Sequence, residues 1–144
     1  PIRTQISIAE LFTDLKKLFP EEEFQFEVPS PELKLNVDRT QIEQILINLL
    51  KNAREACSRK SDKKIQVKAR KLSAGNTTLT ISDNGEGILP DVLDKIFVPF
   101  FTTKTSGSGI GLSLCKQIMT LHEGSINVKS EVGKGSSFIL TFPK

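Results

Sequence analysis

Ile42, Ile45, Leu46, Leu49 and Ala53 recur at the spacing of one helix face, so this segment carries a single apolar stripe that another layer must cover. Asp38, with Gln41 three residues later, is suited to cap its start, and the periodicity fades near Cys57 or Ser58. On both sides the period changes to two. Phe24, Phe26 and Val28 alternate with polar residues, as do Leu33, Leu35 and Val37, then Ile65, Val67 and Ala69, then Leu79 and Ile81. Half-buried strands beside a one-faced helix pack as layers, and 144 residues suit one such domain.

Two further helices are predicted. Ser7 and Glu10 form a capping-box pair ahead of Leu11, Leu15 and Leu18, and Ile110, Leu114, Ile118 and Leu121 give a third apolar stripe stopped by Gly124. Pro29-Ser30-Pro31 turns the chain between two strands, Gly75-Asn76 separates an antiparallel pair, and Ile126/Val128 with Phe138/Leu140/Phe142 make a last hairpin. The expected fold class is α+β, a two-layer sandwich with helices on one face of a mixed, mainly antiparallel sheet.

Several functions are excluded early. The apolar run Ile45 to Leu50 is interrupted by Asn48, far short of the roughly twenty residues of a membrane span. The first residues lack the pattern of a secretion signal and read as a cut from something longer. A net charge of +3 with one small cluster at Lys60, Lys63 and Lys64 argues against a nucleic-acid surface. Cys57 and Cys115 lack metal spacing and read as buried thiols in a reducing compartment.

Three sites remain for chemistry. Asn48 and Asn52 lie four apart and project from one side of the second helix, where amide oxygens suit a Mg²⁺ ion that takes its other ligands from phosphates. In LTISDNGEGI, Asp83 ends a strand and is followed by Gly85 and Gly87, which either admit a flat ligand or make a tight hairpin. A calcium loop is excluded by its carboxylate spacing. In TSGSGIGLS, Gly107, Gly109 and Gly111 precede a helix whose start favours an anion, although neither the P-loop nor the dinucleotide fingerprint is present. The span from Asp83 to Gly111 reads as a long functional loop or a disordered linker, and its length favours function.

In this order the segments resemble the ATP-binding catalytic domain of sensor histidine kinases. NLLKNAREA is similar to the family's N box, DNGEG to its first glycine box, IFVPFFTTK to its F box and GSGIGL to its second glycine box. The resemblance covers roughly residues 38 to 142 and implies the Bergerat fold shared with gyrase, chaperone and mismatch-repair ATPases. It implies ATP and Mg²⁺ as cofactors, Asn52 as metal ligand and Asn48 as its phosphate-side neighbour. Asp83 would accept the adenine amino group, and Gly85, Gly87 and Ile88 would line the base pocket. Gly107, Gly109, Ile110, Gly111 and Leu112 would form the hinge and phosphate cradle under a lid of about residues 98 to 108, anchored by Phe97, Phe100 and Phe101. Lys104, with Asn48, would serve the phosphoryl chemistry as the cation for the terminal phosphates, and Thr141 would approach adenine through a water.

Two departures stand out. Glu55 occupies a position where many members carry Lys, a loss for which Arg54 or Lys104 would compensate, and in GKGSSF Ser136 replaces the Thr of a third glycine box. The family's acceptor histidine lies on a separate helical hairpin. The one histidine here, His122 in LHEG, reads as a structural capping or surface residue.

The resemblance thus implies transfer of the ATP γ-phosphate to a histidine on the parent's own dimerisation domain, with a response regulator receiver domain downstream. It implies a cytoplasmic domain of a parent that can be membrane-anchored, monomeric in isolation and without nucleic-acid or direct membrane contacts. The alternatives are an ATPase of the gyrase or chaperone type, which would need a Glu at the position of Asn48, and a non-catalytic nucleotide-binding regulatory module.

Overall fold

The computed structural model describes residues 1–99, 101 and 111–144. Its main sheet has five strands in the order β2 (Phe24–Glu27), β4 (Ile65–Lys71), β5 (Thr77–Asp83), β7 (Gly135–Phe142) and β6 (Ser125–Glu131). All neighbours are antiparallel except β2 and β4. Three helices, α1 (Ile8–Leu18), α2 (Arg39–Ala56) and α4 (Gly111–Leu121), pack on the sheet, and a short α3 (Pro90–Leu93) follows the central loop. The α+β two-layer expectation holds.

The alternation of each strand sets the layers. Leu79 and Ile81 of β5 stand opposite Leu140 and Phe138 of β7, and these side chains join Ile42, Ile45, Leu46, Leu49 and Leu50 of α2 in one buried core. The residues between them, such as Thr80 and Ile139, point to the other face. Each fully buried Leu or Ile contributes about 1.5–3 kcal/mol of transfer free energy, so a register slip that turned this row outward would cost the fold its core.

The strands around Pro29 and Pro31 do not pair with each other. β2 joins β4 in parallel, while β3 (Lys34–Val37) pairs with β1 (Thr4–Ser7) in a separate two-stranded sheet. Prolines at 29 and 31 lack the N–H groups a ladder needs, and Ser30 instead accepts from the amide of Glu32 at 3.2 Å, which takes the chain off the sheet edge. The first helix shifts its stripe as well. Ile8, Leu11, Phe12 and Leu15 are buried, whereas Leu18 is 56% exposed and Phe19 takes its place.

Both predicted caps form: Ser7 accepts from the amide of Glu10 at 3.2 Å and Asp38 from that of Gln41 at 3.3 Å. At the end of α4 the residue in the left-handed region is Glu123 (φ 60°), not Gly124. Gly124 is needed because a side chain there would strike the carbonyl of Thr141.

Candidate functional site

Asn48 and Asn52 are half-buried on one side of α2, beside the stripe that seats the helix on the sheet. Glu55 continues that side: at 3.6 residues per turn the three positions fall within about 60° of one another, and Glu55 is exposed. Gly111 opens α4 directly against Asn48. A Cβ at 111 would lie 2.7 Å from Asn48 Oδ1 and 2.9 Å from its Nδ2, so any larger residue there would have to push the Asn48 amide from its place. Leu112, half-buried, packs against the core beside it.

Asp83 ends β5 on the helix-facing side, two places beyond Ile81, and stands opposite Ser136 of β7. Its Oδ1 accepts from the amide of Gly85 at 2.8 Å. Burial raises the carboxyl above its ordinary value, and the amides of Gly85 and then Ser136 oppose that rise without cancelling it. The following loop is seated on the far end of α2, where Glu86 N donates to the carbonyl of Ala56 at 3.1 Å.

The glycines of this loop have a different reason from the one expected. A side chain at Gly85 would collide with the Ala56 carbonyl, and one at Gly87, whose φ is +79°, would collide with the Glu131 carbonyl. The space on their Cβ side is filled by protein backbone rather than left for a flat ligand. Ile88 N donates to Ser130 Oγ at 2.8 Å, Ser130 Oγ donates to the carbonyl of Gly135 at 3.1 Å, and Ser130 and Ser136 hydroxyls are 2.9 Å apart. Ser130 therefore ties the loop to β7 beside Asp83, a role that only the strand register reveals. An open recess of ≈ 350 Å³ is lined by Asp83, Ser130, Ser136 and Lys134 among others. The larger apolar groove of ≈ 510 Å³ beside Phe12, Lys16 and Phe26 contains none of the expected site residues.

Ala56 and Asn48 are about 12 Å apart along α2. One helix thus carries a carboxylate-bearing loop at one end and the first residue of α4 against the Asn48 amide further back. Among the described residues no three His, Cys, Asp or Glu side chains gather around a metal position. A Mg²⁺ ion here fits the neutral amide oxygens of Asn48 and Asn52 together with oxygens of a phosphate ligand.

Two expected residues are not brought to the site. Thr141 pairs with Thr78 and Ser125 on the outer face of the sheet, about 17 Å along β7 from Ser136. The hydroxyl beside Asp83 is that of Ser136. Arg54 does not compensate for Glu55: its guanidinium lies over Phe19 at 4.9 Å and Phe24 at 5.3 Å and pairs with Glu21. It projects about 200° around α2 from Asn52. Phe97 is half-buried against the core with Lys116 Nζ 5.8 Å from its ring centroid, and Phe101 is half-buried. Phe100, Lys104, Gly107, Gly109, Ile110 and most of the expected lid lie outside the described residues.

His122 is buried, at 3% exposure, and not at the surface. Nε2 accepts from the amide of Asp38 at 3.1 Å, and Nδ1 faces the carbonyl of Ile118 at 2.9 Å. These partners assign the neutral Nδ1–H tautomer and leave neither ring nitrogen available to a phosphate donor.

Residues 37–144 match the family of histidine kinase-, DNA gyrase B-, and HSP90-like ATPases. The chain is 39% identical over 110 residues to the sensor histidine kinase ZraS of Salmonella typhimurium, covering 76% of this chain and 23% of that protein. It is 42% identical over 109 residues to the signal transduction histidine-protein kinase AtoS of Escherichia coli K12, covering 76% and 18%. The chain thus spans less than a quarter of the length of these relatives. The nucleotide-free catalytic domain of the histidine kinase ThkA superposes with a TM-score of 0.86 at 35% identity, covering 99% of this chain and 95% of that one. ThkA in complex with the response regulator protein TrrA superposes at 0.79 and 31% identity, covering 99% and 42%.

Proposed function

This chain belongs to the histidine kinase-, DNA gyrase B-, and HSP90-like ATPase family, and from that premise we propose that it is the catalytic domain of a sensor histidine kinase, binding Mg²⁺-ATP and donating the γ-phosphate to a histidine on another domain. The observation that carries the reading is the arrangement along α2: Asp83 with its loop on Ala56 at one end, and Gly111 on the Asn48 amide at the other.

Each residue has a separate task. Asp83, held by the Gly85 amide, presents an acceptor to the adenine amino group. Ser136 supplies a neighbouring hydroxyl, and Gly85, Gly87 and Ile88 hold the loop that carries the carboxylate. Asn52 holds the metal, Asn48 faces the phosphates, and Gly111 and Leu112 bring the start of α4 to them, with Gly107, Gly109, Ile110 and Lys104 completing the cradle. Mg²⁺, when bound, neutralises phosphate charge. The protein's share is positioning and electrostatics, which is the main demand of phosphoryl transfer. Asn48 lacks the basicity to take a proton from water, which supports transfer over hydrolysis.

His122 supplies no acceptor, so the reading requires a histidine from a separate helical hairpin of the parent kinase, and a response regulator after it. The cytoplasmic location of this domain, in a parent anchored to a membrane or free of it, belongs to the same proposal. Among the described residues no helix is long and apolar enough to cross a membrane.

The test is calorimetric titration with ATP, with and without Mg²⁺, followed by transfer to the hairpin supplied in trans. Mg²⁺-dependent binding and label on the hairpin alone are expected. Failure to bind ATP, or label on His122, would overturn the reading.

A further inference from the structure

α2 and α4 run antiparallel and are joined at two places. At one, Gly111 meets the Asn48 amide; at the other, His122, immediately after α4, accepts from the amide of Asp38, the N-cap of α2. The two spans match. The 11 residues of α4 rise about 16 Å, and Asp38 to Asn48 rises about 15 Å. Both ring nitrogens of His122 are used, one on each helix, since Nδ1 donates to Ile118 of α4 while Nε2 reaches across to α2. The first residues of the chain close on the same point: Ile2 N donates to Asp38 Oδ2 at 2.9 Å, and Arg3 donates to the carbonyl of Leu121 at 3.0 Å.

We propose that His122 is a positioning residue: it fixes how far α4 is slid along α2, and thereby how the Gly111 backbone meets the Asn48 amide some 15 Å away. The clearance at Gly111 leaves little freedom. A slide of α4 toward Asn48 closes a gap already too small for a methyl group unless the Asn48 side chain turns away, and a slide away opens the start of α4 from the Asn48 amide. Apolar packing alone tolerates such sliding because it has no preferred direction, whereas a hydrogen bond from a rigid ring to a backbone amide has one. The proposal deepens the nucleotide-site reading and rests on it for its consequence, although its structural part can be tested without nucleotide.

The two nitrogens can be separated by substitution. His122→Gln places an acceptor oxygen where Nε2 stands and can still meet Asp38, while His122→Asn places a donor where Nδ1 stands and reaches only Ile118. In the nucleotide-free chain, the NMR signals of the Asn48 side-chain amide and the Gly111 backbone amide should keep their wild-type positions in the Gln variant and move in the Asn variant. Mg²⁺-ATP affinity should stay within about twofold for Gln and fall about fivefold for Asn, the size of one lost hydrogen bond. Identical behaviour of the two variants, or loss of stability with both reporter signals unmoved, would overturn the proposal. A measurement on the wild type guards against variants that do not fold: nitrogen-15 shifts of the His122 ring must show a protonated Nδ1 and a bare Nε2. A protonated Nε2 would also overturn it. Should the wild-type chain bind no ATP while the reporter signals move as expected, the nucleotide reading fails and the positioning role stands.

Discussion

Asp83→Asn separates what Asp83 does for the fold from what it does for a ligand, because the two effects have opposite signs. Asparagine retains an oxygen for the Gly85 amide, now 2.8 Å away, and puts an NH₂ where the second carboxylate oxygen stands. For stability, the direction follows from the raised carboxyl. A folded-state pKa above the ordinary 3.8 means that the contribution to stability is fully present below that value and is lost as pH rises through the raised one. At pH 7 the folded protein therefore bears the cost of an ionised, partly desolvated group that asparagine removes. The weaker hydrogen bond to Gly85 acts against this, so the variant should lie within about 1 kcal/mol of wild type at pH 7. Relative to wild type it should be at its best there and lose ground at pH 4. For binding, the acceptor that the proposed site presents to the adenine amine becomes a donor. Loss of a hydrogen bond to a charged group costs about 1.5–3 kcal/mol, or about 10- to 150-fold in affinity for ATP. GTP, which offers a carbonyl oxygen at the same place on the purine, should lose less or gain. Urea melts at the two pH values and calorimetry with both nucleotides measure these quantities. A variant that binds ATP as tightly as wild type, or whose relative stability improves on acidification, would refute the reasoning.

Asn52→Ala should weaken Mg²⁺-ATP more than metal-free ATP in calorimetry, whereas Asn48→Ala should be milder. Gly85→Ala should destabilise by about 1–3 kcal/mol by overpacking against Ala56 and should also weaken ATP binding. Gly133→Ala, at φ +83° with nothing within 4 Å, should cost about 1–2 kcal/mol in a urea melt and leave binding unchanged. Arg54→Ala should lower the melting temperature through loss of the Phe19, Phe24 and Glu21 contacts, with ATP affinity within about twofold. Burial pushes the Cys115 thiol up to about 12 and raises Cys57, where the Asp83 charge adds to burial, so neither should react with a disulfide reagent at pH 8 until urea unfolds the chain.

What could be read in the sequence was whatever repeats within a few residues. The α2 stripe, both N-caps and the side shared by Asn48 and Asn52 follow from a 3.6-residue period. The alternation of β5 and β7 likewise put Asp83 at the end of a buried row. Features set by long-range pairing were not legible. Nothing local directs β2 to a parallel partner at Ile65 or joins β1 to β3. The placements of Arg54 and Thr141 have the same origin. Arg54 and Glu55 adjoin in sequence, yet one residue of α2 turns about 100° and sends Arg54 to the aromatic pair of Phe19, just after α1, and Phe24 of β2. Thr141 and Ser136 share a strand, but an odd separation places them on opposite faces, and only the pairing of β5 with β7 shows which hydroxyl meets Asp83.

The glycines carry the argument one step further. As sequence, Gly85 and Gly111 belong to separate motifs and suggest separate loops opened for a ligand. In the fold they press on the same helix, Gly85 on the carbonyl of Ala56 and Gly111 on the amide of Asn48. Their common requirement is close approach to α2, and α2 is what sets the distance between the carboxylate of Asp83 and the start of α4. On the proposed reading, a nucleotide spanning that distance would be measured by eight residues of helix rather than by either loop. On the same reading, Asn48 and Asn52, four residues apart on α2, would hold their amide oxygens at a fixed height relative to the Ala56 end, as a shared metal and phosphate site would require.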